Sequence, residues 1–170
     1  MAIVNTDIVK LLSGGASNSD TDASLGGVVS SVAVVDDTLN NLFAVGAAAE
    51  ALAGSTKYRA IFVKNTHATI TAVSAEIYIS SNTPSADTEV KIALADEAVG
   101  VSTIETIVNE DTAPVGPSFV TADGVANSVS IGDIAPGEVK GIWVEWTLGA
   151  STVAVDDAMT ISVRAETAAA

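Results

Sequence analysis

Apolar and polar positions alternate with a period near two from Tyr58 to Ile79, and the rest of the chain is organised around that stretch. In YRAIFV, Tyr58, Ala60 and Phe62 share one side, and Arg59, Ile61 and Val63 share the other. After a polar break at Lys64–Thr69, Val73, Ala75, Ile77 and Ile79 fall on one face, with Ile70, Ala72, Ser74, Glu76 and Tyr78 on the opposite one. β-branched and aromatic residues at this period predict two strands joined by a short polar turn. A two-stranded ribbon is marginal alone, so other strands must cover it.

The same period recurs downstream. Glu89–Ala95 sets Val90, Ile92 and Leu94 on one face. Glu138–Leu148 sets Ile142, Val144, Trp146 and Leu148 on one face, and Val139, Gly141, Trp143, Glu145 and Thr147 on the other. Ala158–Ala165 turns Met159, Ile161 and Val163 toward a core and Thr160, Ser162 and Arg164 away from it. Val28–Val35 is a strand candidate stopped by Asp36-Asp37. Phe119–Val120 reads as a short edge strand and Ala126–Ile131 as a further strand, while residues 96–112 fit a strand with an irregular loop. Leu39, Leu42, Phe43 and Val45 form another apolar patch. Ala47–Ala53 is helical by propensity, is equally compatible with a strand edge, and is too short to stand without tertiary contacts. Many short strands separated by turns, with no alternating long helices, predict an all-β fold: an antiparallel β-sandwich, jelly-roll or immunoglobulin-like.

The amino-terminal region has no clean period. Met1–Leu12 suits a strand or a brief helix, and Ser13–Gly27 is a loop or extended arm by composition. The expected organisation is an amino-terminal arm and loop over 1–27, a sandwich domain over 28–166 and a frayed tail over 167–170.

Composition narrows the function. The 170 residues suit one domain, and a 48% hydrophobic content rich in Ala and Val, with few aromatics, implies a thin core of small side chains. Seven Lys and Arg against 21 Asp and Glu give a net charge of −14, which opposes binding to nucleic acid or to an anionic membrane. With no cysteine there is no disulfide, zinc–thiolate site or thiol nucleophile. The start MAIVNTDIVK lacks the basic and long apolar regions of a secretory signal, and no stretch reaches transmembrane length.

Candidate chemistry is sparse. The single histidine, His67, lies in the turn NTHAT with no nucleophile motif near it, which reads as an exposed turn residue. Acidic pairs occur at Asp36-Asp37, Asp96-Glu97, Glu110-Asp111 and Asp156-Asp157. They read as solvated loop ends, with calcium clips between loops as the alternative. No glycine pattern suggests a phosphate cradle. No catalytic, cofactor-binding or metal-binding residue is assigned. Trp143 and Trp146 are three apart and so lie on opposite sides of a strand. One is expected in the core and the other at a subunit interface, over a sheet edge or against a sugar ring.

The segments LLSGGASNSDTDASLGG, YRAIFVKNTHATITAVSAEIYISSNTPSADTEVKIALADE and SIGDIAPGEVKGIWVEWTL resemble small structural proteins encoded among the virion genes of tailed bacteriophages, some of which are capsid decoration (cement) proteins. The resemblance implies a non-enzymatic virion protein on the outer capsid surface. It would form a homo-oligomer, a trimer by expectation, and contact the major capsid protein without cofactor, nucleic acid or membrane. Ile3, Val4, Leu11, Leu12, Trp143 and Trp146 are the candidate interface residues. A carbohydrate-binding or adhesin-type module on a virion or cell surface is the alternative, and a lyase or hydrolase on the same sandwich is a third.

Overall fold

The computed structural model of the chain describes residues 2–150 and 157–167. They form an all-β, antiparallel sandwich. Its centre is a four-stranded sheet in the order β1 (Ile8–Leu12), β3 (Ser55–Asn65), β8 (Val139–Leu148), β5 (Thr88–Leu94). A three-stranded sheet covers one face, in the order β7 (Val129–Ile134), β4 (Ala72–Ser81), β9 (Thr160–Thr167). A two-stranded sheet of β2 (Gly26–Val28) and β6 (Thr103–Thr106) lies on the other.

The central strands are apolar on both faces because both faces are covered. Ile61, Val63, Ile142, Val144, Val90 and Ile92 pack with Ala72, Ala75, Ile77, Ile79, Ile134 and Ile161 of the three-stranded sheet. The alternate residues Ala60, Phe62, Ala93, Val139 and Trp143 pack with Leu11, Ile104 and Ile107 on the opposite side. The close approach of β6 explains Gly141. A Cβ there would sit 2.6 Å from the Ile104 Cγ2 methyl, so a larger residue would force the layers apart.

The two strands of Tyr58–Ile79 are not a paired ribbon. β3 bonds β1 and β8, β4 bonds β7 and β9, and the two meet face to face across the core. The crossing is built at Asn65, which is fully buried. Its Nδ2 donates to the carbonyls of Ile70 (2.8 Å) and Ile134 (2.9 Å), and its Oδ1 accepts from the His67 N–H at 3.0 Å. His67 Nδ1 accepts from the backbone N–H groups of Thr69 (3.1 Å) and Ile70 (2.9 Å), so the half-buried imidazole braces the turn.

The expected faces of β4 also need correction. The register slips between Ala72 and Ala75, where Ser74 takes φ +50° and its N–H bonds Asp133 Oδ1 at 2.9 Å. This bulge brings Ala72 onto the same core face as Ala75, Ile77 and Ile79 and leaves Val73 half-buried.

Residues 1–27 do not stand apart as an arm. β1 pairs with β3 through Ile8↔Asn65 to Leu12↔Ile61, and β2 pairs with β6. The expected boundary at residue 27 therefore runs through hydrogen-bonded structure. Only Gly26–Val28 of the next segment is regular strand, not Val28–Val35. Residues 30–34 instead line the outer edge of β1, with Leu12 N–H on Val32 O, Ser30 N–H on Leu12 O and Val34 N–H on Lys10 O, each at 2.9 Å. Val120 meets the opposite edge by exchanging two 2.9 Å bonds with Ile92 of β5. The β1 edge is thus covered and the β5 edge is met at one point, which reduces the usual template for edge-to-edge association. The expected strand at Ala126–Ile131 is displaced to β7, and the final strand runs to Thr167. The remainder of the expected frayed tail, residues 168–170, lies outside the described residues.

Candidate interaction surface

The segment 35–53 lies over one end of the central sheet and has two sides. Its inner side is anchored. Leu42 is buried, and the Phe43 ring packs 5.9 Å from that of Trp146, with the Arg59 guanidinium carbon 5.8 Å from its centroid. Gly46 passes so close that a Cβ would lie 3.1 Å from Leu148 Cδ2 and 3.2 Å from Trp146 Cη2. A single-turn helix, α1 (Ala48–Ala53), follows. It starts where the Ala47 N–H donates to Glu50 Oε2 at 2.7 Å and stops at Gly54, where φ is +81°.

An ion network fixes this helix to the sheet. Lys57 Nζ lies 2.8 Å from Glu50 Oε1 and 3.0 Å from Glu110 Oε1. Glu110 also pairs with Arg59, whose Nη2 lies 2.9 Å from Asp22 Oδ1. Lys57 and Arg59 are both buried, so three loops are tied to β3 through charges largely removed from water. The hydrogen bond from Lys57, helped by the Ala47 N–H, holds the Glu50 carboxyl below its usual range. Burial alone would lower the Lys57 ammonium, but its bonds to Glu50 and Glu110 outweigh that and leave its pKa raised.

The outer side of the segment is apolar and exposed. Leu39 is 84% exposed, Leu52 is 73% exposed, and Val35 and Val45 are comparable. α1 buries none of its residues although all but Glu50 are Ala or Leu. From Thr38 to Ala49 the chain has no charged side chain. On either side of Glu110, the exposed Val108 and Val115 lie on the loop that the same network anchors.

The six residues expected at an interface do not converge. Leu11 and Trp143 are buried in the core layer beneath β2 and β6, and Leu12 is buried where β1 pairs with β3. Trp143 is wholly enclosed, so its indole is a core residue and not a contact surface. Trp146 packs on the opposite face against Phe43 and is half-buried. Ile3 packs at the edge of the other core, where its N–H donates to Thr167 Oγ1 at 2.9 Å. Only Val4 among the six is exposed. The surface was legible as an uncharged run from Thr38 to Ala49 that leads into a helix whose one polar residue is Glu50, a signal that strand-seeking periodicity passes over.

The other candidate groups are engaged locally. Asp36 and Asp37 are exposed, Glu97 Oε1 accepts from the Glu105 N–H, and Asp157 accepts from the Ser85 N–H and the Thr88 hydroxyl. Asp156 lies outside the described residues. Among the described residues no group of three or more His, Cys, Asp or Glu is placed to hold a metal ion, and no helix is long and apolar enough to cross a membrane. The recess beside His67 is lined by Lys64, Thr66, Ala68, Pro136 and Gly137, and brings no carboxylate or nucleophile-and-base pair to the imidazole.

Six of the seven Lys and Arg side chains are drawn into internal contacts among the described residues. Lys57, Arg59, Lys91 and Arg164 are in ion pairs, and Lys10 and Lys140 donate to backbone carbonyls. The outward field of the molecule is therefore acidic. Comparison of the chain with protein-family models, with curated proteins and with solved structures finds no match.

Proposed function

We propose that this protein is a non-enzymatic structural component of a tailed-phage virion: a capsid decoration or cement protein that forms a homo-oligomer, a trimer in the simplest arrangement, on the outer surface of the major capsid protein. The observation that carries the reading is the exposed apolar group Leu39, Val45 and Leu52 on and beside a stretch, Thr38–Ala49, without a charged side chain, on a chain of net charge −14. A self-contained sandwich with a covered β1 edge and one such surface is suited to assembly. Its acidic exterior, with most cations paired or hydrogen-bonded within the chain, would keep it off packaged DNA. Docking would add stability to a core of small side chains by mass action.

The sugar-binding reading draws less support. None of the seven aromatic side chains is exposed, so no open ring is presented for stacking. The test is electron microscopy of native particles, together with co-sedimentation of purified protein and shells assembled without it. Saturable, stoichiometric binding with density on the outer lattice is expected. Particles without the chain, or shells that fail to retain it, would sink the proposal.

A further inference from the structure

We propose that the open recess beside His67 is a carboxylate-binding site, in which the Lys64 ammonium and the His67 Nε2–H hold the two oxygens of one carboxylate. Such a site is independent of the virion reading and uses a part of the molecule that reading leaves idle.

Three features of the recess point to that ligand. First, Lys64 is the one Lys or Arg side chain without an ion pair or hydrogen bond among the described residues. The chain holds 21 Asp and Glu, yet no carboxylate lines the recess that Lys64 and His67 share. The acids of the adjoining segments are engaged elsewhere: Asp7 Oδ2 accepts from the Val4 N–H at 2.8 Å, and Glu138 Oε2 from the Ala135 N–H at 3.0 Å. Second, the turn fixes the histidine as a donor. Nδ1 accepts from the N–H groups of Thr69 (3.1 Å) and Ile70 (2.9 Å), so the ring proton sits on Nε2. That N–H has no acceptor among the described residues. Third, the walls are already in place. The buried Asn65 bonds the His67 N–H through Oδ1, and its backbone carbonyl accepts from the Gly137 N–H at 2.8 Å, which ties the two sides of the recess together. The Thr66 N–H and hydroxyl both bond the Asp7 carbonyl. Little ordering remains to be done when a ligand enters.

Charge selects the class of ligand. One ammonium beside one neutral donor matches a monoanion with two oxygens. A phosphate dianion would bring a second negative charge, with no second cation to meet it, into the field of a chain carrying −14.

The test is nuclear magnetic resonance of the full chain, in which the only histidine gives one set of imidazole nitrogen signals. Sodium acetate, exchanged for chloride at constant ionic strength, should shift His67 Nε2 and the amides of residues 64–68 and 137–138 along a saturable curve. The expected Kd is on the order of millimolar. Lys64→Met should weaken binding by roughly tenfold, Lys64→Arg should restore it, and Lys91→Met should leave it unchanged. A capped Gly-Asp-Gly peptide, with Gly-Asn-Gly as its neutral control, separates the sources of the carboxylate. Tighter binding of the Asp peptide than of acetate assigns an acidic side chain of a protein partner; equal binding assigns a small free acid. The parent titrations need no variant to fold. Shifts that rise without saturation overturn the proposal, as does inorganic phosphate binding more tightly than acetate, or a folded Lys64→Met that binds acetate like the parent.

Discussion

Trp143 on β8 lies directly opposite Ala60 on β3, and Ala93 of β5 flanks it on the other side. One of the two tryptophans, the largest side chains in the protein, is thus fully buried between two of the smallest, which lets three adjacent strands keep a level surface under β6. Trp143→Ala is expected to cost about 3–5 kcal/mol by chemical denaturation because it opens a cavity beneath Ile104. Ala60→Leu should cost about 1–3 kcal/mol through overpacking. Trp143→Phe should be milder than Trp143→Ala, since the indole Nε1 has no hydrogen-bond partner to lose. Equal losses for Ala and Phe would contradict this packing.

The Lys57–Glu50 pair makes stability depend on pH in both directions. The Glu50 pKa is lowered from 4.5 by folding, so its contribution is complete above that value and is lost as pH falls through its folded value. The Lys57 pKa is raised from 10.5, so its contribution is complete below that value and is lost as pH rises through its folded value. Lys57→Met is expected to lower stability by about 1–3 kcal/mol at neutral pH and to flatten both limbs of the profile of melting temperature against pH. Parallel profiles for parent and variant would rule out the linkage.

Removing residues 1–12 deletes β1 and strips β3 of its hydrogen bonds from Ile61 to Asn65. The expected product is unfolded or aggregated, as judged by circular dichroism and size-exclusion chromatography, because an open central strand edge is a template for pairing. The milder Leu12→Ala should cost about 2–4 kcal/mol. A soluble, cooperatively folded truncation would show that β1 is dispensable to the fold.

Lys140 is buried, and its ammonium donates to the carbonyls of Ala95, at 2.6 Å, and Glu97. Burial pushes its pKa down, and the nearby Glu97 and Asp96 offset this in part. Lys140→Met keeps the stem and leaves both carbonyls without this donor. A loss of about 1–3 kcal/mol is expected, with faster amide exchange across residues 95–100 as the local signature. Unchanged stability and exchange would mean that water replaces the ammonium without cost.

Local periodicity was enough to place most strands and to set the fold class. Val90, Ile92, Ile142, Val144 and Ile161 alternate with their neighbours because each strand has two faces, a property of the backbone alone. The antiparallel sandwich and the burial of one tryptophan follow from the same reasoning. Partner choice among the strands does not. Tyr58–Val63 is apolar on both faces, and alternation cannot say that such a strand is the middle layer between two cores, with its successor in another sheet. That was settled by Asn65, whose buried amide is satisfied only when the chain crosses between layers. The slip at Ser74, the capture of residues 30–34 by β1 and the enclosure of Trp143 also depend on neighbours distant in sequence. Residues 35–53 show the same division. The lack of charge from Thr38 to Ala49 is plain in the sequence, but tertiary packing alone decides that Leu42 and Phe43 turn inward while Leu39, Val45 and Leu52 face out, because the narrow gap over Trp146 and Leu148 admits only one side of the segment.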